Sequence, residues 1–78
     1  EIAIQPGTRD LYVLDGPSAR LFITDTKGNI KSKFELDKDL LPQPEGICFN
    51  NNGGIYISSE ANKNDQGIIV KFAPDAFK

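Results

Sequence analysis

The feature that most constrains the fold is an internal repeat, which places two tyrosines, Tyr12 and Tyr56, 44 residues apart. At this offset the strand-like segment Leu11–Val13 aligns with Ile55–Ile57. Each segment is short, alternates around its tyrosine and is bounded by turn-forming residues. A period of about 40–50 residues with four short strands in each unit is typical of β-propeller blades. The sequence therefore predicts an all-β chain built from blade-like units.

The first unit, residues 1–40, contains four predicted strands at about 2–5, 11–15, 20–25 and 30–36. The last of them alternates with period two, so that Ile30, Ser32, Phe34 and Leu36 share one face and Lys31, Lys33 and Glu35 share the other. That pattern predicts an edge strand with one face in water. We therefore predict one complete four-stranded antiparallel blade in this half of the chain.

The second unit, residues 41–78, contains only three predicted strands, at about 46–49, 54–59 and 67–72. The predicted fold is thus a β-propeller fragment, with one full blade and a three-stranded partial blade. A propeller ring needs about 4–8 blades. We expect this chain to be the C-terminal piece of a longer propeller, and its partners to be the remaining blades or copies of itself. A self-contained small β-barrel is the alternative.

Composition excludes several classes of function. Nine Lys and Arg against eleven Asp and Glu leave a net charge of −2 with no basic cluster, which argues against nucleic-acid binding. No stretch approaches the roughly 20 apolar residues of a membrane span, and no leader peptide is visible. The absence of histidine removes the commonest general base and metal ligand. The single cysteine, Cys48, is predicted to be a small buried hydrophobe.

Three carboxylates are the candidate site residues. Glu45 precedes the first strand of the second unit, Glu60 ends the next strand, and Asp15 holds the nearly equivalent position in the first unit. Antiparallel neighbours bring the start of one strand to the end of the other, so these side chains are expected at one rim. Oxygen ligands of this kind suit Ca²⁺. The alternative is that each carboxylate caps a turn or faces solvent.

Two further features have structural interpretations. The segment Asn62–Gly67 has the oxygen side chains of a calcium loop, but Ala73 stands where a bidentate glutamate is required, so a solvated loop is expected. Tyr12 and Tyr56 are predicted to pack between blades.

The segments Pro42–Ile47 and Gly54–Glu60 resemble the last blade of the SdiA-regulated family of bacterial propellers. Asp10–Asp15 and the turn at 25–29 resemble the preceding blade, in a pattern shared with NHL and gluconolactonase-like propellers. The resemblance implies a six-bladed, exported protein of the periplasm or cell envelope with no assigned reaction. It also implies that Glu45 and Glu60 lie near the mouth of the central channel, where some members can hold calcium.

The predicted function is a binding or scaffold module, with calcium or a small ligand at the channel rim. The alternative is a hydrolase of the phytase or lactonase type, in which the same carboxylates act as an acid/base pair.

Overall fold

The computed structural model describes residues 1–61 and 66–77, which form two antiparallel sheets and no helix within those ranges. Four strands in the order β1-β2-β3-β4 form the first sheet, and three strands in the order β5-β6-β7 form the second. The predicted fold class is therefore confirmed. The strands are β1 (Ile2–Ile4), β2 (Leu11–Asp15), β3 (Arg20–Thr24), β4 (Ile30–Glu35), β5 (Gln43–Phe49), β6 (Ile55–Glu60) and β7 (Ile68–Phe72).

The two faces of the first sheet differ because side chains alternate along each strand. Tyr12 and Leu14 of β2 lie opposite Ile23 and Leu21 of β3, and all four are buried against the second sheet. The other face carries the intervening residues. The period-two pattern thus decides which side chains enter the core.

A bulge interrupts the pairing of β3 with β4. Ile23 pairs with Ser32 but Thr24 pairs with Ile30, so Lys31 has no partner in the ladder. The Lys31 ammonium donates a hydrogen bond to Asp10 Oδ2 at 2.7 Å. Ile30, predicted on the inner face, is instead 67% exposed. The prediction for this residue was wrong because a bulge shifts the alternation.

The second sheet contacts the first through its leading strand, since β5 lies against β1 and β2. Ile47 of β5 and Ile55 and Ile57 of β6 face the first sheet and are buried. Cys48 points the other way and is exposed, so the prediction of a buried cysteine was wrong. Its neighbours Ile47 and Phe49 take the two inward positions of that strand.

The sheets diverge away from this contact, and an aromatic cluster fills the wider gap. Phe77, which follows a turn closed by an Ala76-to-Ala73 hydrogen bond, lies with its ring centre 5.3 Å from that of Phe34 in β4. Its ring centre is 5.2 Å from that of Phe72 in β7. Phe77 is 9% exposed. The two sheets and this tail therefore form one continuous core.

Two loops are closed by the same local device. Asp25 and Asn50 each accept backbone N–H bonds on a side-chain oxygen from residues two and four positions later. Gly28 and Gly53 take the positive φ that these turns need, at 90° and 85°. The hydrogen bond from the Asn29 side chain, with those from the Asn29 and Lys27 backbone N–H groups, lowers the pKa of the Asp25 carboxyl.

Candidate functional site

Glu45 lies on a β-bulge at the start of the second sheet. Pro44 pairs with Ser59 and Gly46 pairs with Ser58, so Glu45 has no cross-strand partner. The strand begins at Gln43, earlier than the position 46 expected from the sequence. A bulge turns its extra residue away from the regular alternation, and bulges are frequent beside active sites. This irregularity sets the direction of the Glu45 side chain.

The bulge places Glu45 beside Glu60, whose partner in the ladder is Gln43. Loss of hydration raises the pKa of the Glu45 carboxyl, and repulsion by the Glu60 charge and a hydrogen bond to Glu60 raise it further. A cation beside these two exposed carboxylates would reduce the repulsion between them. The pair is therefore suited to holding a positive group.

Ser59 fixes the two strand ends on which these carboxylates lie. Its side chain is almost fully buried, and its hydroxyl accepts a hydrogen bond from the Gln43 backbone N–H at 2.9 Å. The same hydroxyl donates to the Glu60 carbonyl oxygen at 2.9 Å. The Ser59 hydroxyl thus links the first residue of β5 to the last residue of β6. The position of the carboxylates is set by the backbone as well as by their own rotamers.

A cleft of about 250 Å³ lies beside Glu45, lined by Gly16, Pro17 and the segment 42–45. Gly16 lies so close to β5 that a Cβ there would collide with the Pro44 carbonyl oxygen. Only glycine allows the turn after β2 to approach the bulge this closely. The cleft is consequently bounded by both sheets at one end of the molecule.

Asp15 lies at this same end, immediately before Gly16, but it does not join Glu45 and Glu60. It is the last residue of β2 and lies in register with Arg20 of β3, whose guanidinium is 3.6 Å from Glu35. In residues 1–61 and 66–77, no three Asp, Glu or Cys side chains are grouped closely enough to hold a metal ion. The geometry brings Glu45 and Glu60 together without adding Asp15, and the calcium site stays a prediction.

Of the other candidate segments, the loop at 62–67 falls mostly outside the described residues, which omit 62–65. Inter-sheet packing is confirmed for Tyr12, whose ring meets Phe49 edge-on at 4.8 Å between centres. Tyr56 is half-buried on the opposite face of the second sheet, with the Lys71 ammonium 5.8 Å from its ring centre.

A second cleft at the opposite end was not anticipated. It is lined by the Asp10–Lys31 pair, Tyr12 and the tail residue Phe77, among others. Burial raises the pKa of the Tyr12 hydroxyl, and the Asp10 charge raises it further while Lys31 opposes the change. Asp10 beside Tyr12 was visible in the sequence, but its partner depends on the bulge in β4.

Comparison with known proteins gives one finding. A family model described as SdiA-regulated matches residues 1–64, which span both sheets as far as the end of β6. No curated protein and no solved structure matches the chain. Within the part of the chain that the structure describes, no helix has the length and apolarity needed to cross a bilayer.

Proposed function

Because the chain belongs to the SdiA-regulated family, we propose that it contributes two neighbouring blades to an exported β-propeller of the bacterial periplasm or cell envelope. The propeller acts as a binding or scaffold module. Its binding site lies at the channel rim, where Glu45 and Glu60 hold calcium or a small cationic or sugar-like ligand. The supporting observation is the bulge that places these two carboxylates beside each other, with the pKa of Glu45 raised.

Calcium fits the chemistry of the pair but needs more than these two residues. Ca²⁺ takes 6–8 oxygen ligands, and two carboxylates supply at most about four. The remaining ligands would come from water or from other blades of the ring. A bound cation would remove the repulsion that raises the Glu45 pKa. The two residues therefore contribute charge and orientation to a shared rim site.

The second candidate is a hydrolase of the phytase or lactonase type. It is favoured by the same pair, since a carboxyl with a raised pKa beside a second carboxyl is an arrangement used for acid/base catalysis. In that reaction the Glu45 carboxyl would donate a proton to the leaving oxygen, and Glu60 would accept a proton from the attacking water.

Thermal melts of the full chain with and without added calcium test the proposal. The parent should melt at a higher temperature with calcium, and Glu45→Gln should lose this shift because a neutral amide is a poor ligand for a hard cation. Asp39→Asn, which removes an exposed carboxylate in the connection between the sheets, is the matched control and should keep the shift. A parent that calcium does not stabilise would exclude a calcium site held by this chain alone.

Turnover of a phosphate ester or a lactone by the parent, lost in Glu45→Gln, would instead favour the hydrolase. A parent that responds to calcium without turnover would support the binding module.

A further inference from the structure

The second cleft, at the end of the molecule away from Glu45, has a volume of about 250 Å³ and lies between the first sheet and the C-terminal tail. Tyr12, Ile23 and Phe77 form its apolar wall, and all three are buried. Polar side chains complete the lining, among them Ser32 at the edge strand. Apolar walls with a few polar groups are the composition of small-molecule sites. The volume limits any ligand to about the size of one sugar ring or one amino acid.

The Tyr12 side chain brings a hydroxyl to this cleft that the described chain leaves unsatisfied. Tyr12 is 6% exposed, yet within residues 1–61 and 66–77 its hydroxyl has no hydrogen-bond partner. Burial of a polar group without a partner costs free energy. Burial and the Asp10 charge also raise the pKa of Tyr12, so the hydroxyl keeps its proton and can donate it in a hydrogen bond. A ligand in the cleft would supply the acceptor.

The Asp10–Lys31 pair makes the cleft polar without giving it a net charge. The Lys31 ammonium donates to Asp10 Oδ2 at 2.7 Å, and the Asp10 side chain is only 13% exposed. A charged ligand would have to separate this pair and leave one member of it buried without its partner. A neutral ligand leaves the pair intact and can still donate to the carboxylate and accept from the ammonium. The cleft therefore favours a neutral molecule that carries donors and acceptors side by side.

We propose that the second cleft binds a neutral sugar unit, with two adjacent hydroxyls on the Asp10–Lys31 pair and one face of the ring on the apolar wall. Each sugar hydroxyl both donates and accepts, so adjacent hydroxyls match a carboxylate beside an ammonium. The C–H groups on one face of a pyranose ring are apolar and suit an aromatic neighbour such as Phe77. A third hydroxyl accepts from Tyr12. This site is separate from the Glu45–Glu60 rim and does not rest on the function proposed there.

Two variants remove single polar groups from the cleft, and each has a matched control. Tyr12→Phe deletes only the hydroxyl and keeps the ring that packs on Phe49. Tyr56→Phe makes the same change on the opposite face of the second sheet. Lys31→Gln removes the ammonium, and Lys33→Gln makes the same change two residues along the strand. Because the Tyr12 hydroxyl makes no hydrogen bond within the described chain, circular dichroism should show that Tyr12→Phe folds like the parent.

Amide NMR spectra of the full chain, titrated with glucose, galactose and mannose, measure the binding. At least one of the three sugars should produce saturable shifts at Thr8, Ser32 and Phe77, with the millimolar affinity expected of so few contacts. Tyr12→Phe and Lys31→Gln should each weaken that affinity about three- to tenfold, in the range of one lost hydrogen bond. Both control variants should keep the affinity of the parent. No saturable shift with any of the three sugars, or equal affinities in all four variants, would overturn the proposal.

Charged forms of the sugar that binds test the neutrality of the site. Its amino form carries a positive charge and its uronic acid form a negative one, and neither should bind more tightly than the neutral sugar. Tighter binding of either would overturn the neutral ligand.

The position of the shifts separates this site from the rim. Saturable shifts confined to Gln43 and Glu45 would place the sugar at the rim and overturn the second site. Glu45→Gln should leave sugar binding in the second cleft unchanged, whatever its effect on calcium.

Discussion

Each sheet contains one β-bulge beside a charged side chain, and the two bulges have opposite electrostatic outcomes. In the first sheet Lys31 reaches Asp10 and forms an ion pair at 2.7 Å. In the second sheet Glu45 lies beside Glu60, a group of the same charge type. The pKa of Lys31 is raised by its hydrogen bond to Asp10, which favours its charged form. The pKa of Glu45 is raised too, which disfavours its charged form.

The bulge in the first sheet therefore has a structural role, whereas the bulge in the second sheet is a candidate binding site. At the first bulge the charges of Lys31 and Asp10 neutralise each other, so no further charged group is needed there. Two neighbouring carboxylates repel each other, and a proton or a cation beside them reduces that repulsion. Perturbed titration beside a cleft is a feature of functional sites, although structural networks also produce it. Four predictions test this contrast.

The largest effect is expected from Gly16→Ala, which disturbs the support of the second bulge. The added Cβ collides with the Pro44 carbonyl oxygen, so the backbone must move. We expect a loss of about 1–3 kcal/mol in the free energy of unfolding, in the range of other overpacked sites. Urea unfolding measures it. Gly7→Ala, where the added Cβ lies 3.2 Å from the movable Gln5 side chain, is the control. Equal losses in the two variants would contradict the close approach.

Next in size is Glu45→Lys, which converts the second bulge into an analogue of the first. A lysine beside Glu60 replaces repulsion with attraction. We expect a higher melting temperature than that of the parent at neutral pH and low salt, together with loss of any calcium response. Thermal melts at low ionic strength measure both. A melting temperature unchanged or lowered by the substitution would show that repulsion at this bulge is unimportant.

A smaller, pH-dependent effect is expected from Glu45→Gln. Because folding raises the Glu45 pKa, the protonated form stabilises the fold at low pH, and that contribution disappears as pH rises through the raised value. The parent should therefore lose stability relative to Glu45→Gln as the pH rises from about 4.5 through the raised value. Melts across this range measure the difference. A double variant with Glu60→Gln should show non-additive effects, since the two groups are in contact.

The smallest effect is expected from Lys31→Gln, which breaks the ion pair at the first bulge. The Lys31 side chain is 51% exposed, and exposed pairs contribute little to stability. The melting temperature should fall slightly at low salt, and the difference should vanish near 1 M NaCl, where the screening length is about 3 Å. It should also vanish at alkaline pH, as Lys31 loses its proton. Lys33→Gln, on the same strand, is the control.

The strands could be predicted from sequence because period-two alternation and turn residues are local signals. The 44-residue repeat also predicted the two-sheet division into four and three strands. The bulges could not be predicted, because a register shift depends on the partner strand. The start of β5 was predicted too late because the strand begins beside Pro44. Proline cannot donate a backbone hydrogen bond to a β-ladder, so this segment resembled a turn.

The direction of side chains was the second feature that could not be predicted from the sequence. An apolar strand such as Ile47–Phe49 has two faces, and its composition does not say which face meets the neighbouring sheet. Cys48 lies between two inward-facing residues and is therefore exposed. Strand order alone predicts Glu45 and Glu60 at one rim, whereas the Asp10–Lys31 pair required the bulge.

The position of Phe77 affects how many two-sheet units of this kind can be arranged around a common axis. Phe77 occupies the widening gap between the outer strands and so helps to set the dihedral angle between the sheet planes. In a closed circle these angles must add up to one full turn. A smaller side chain at position 77 would let the planes close towards each other, and a larger number of units would then be needed to complete the circumference.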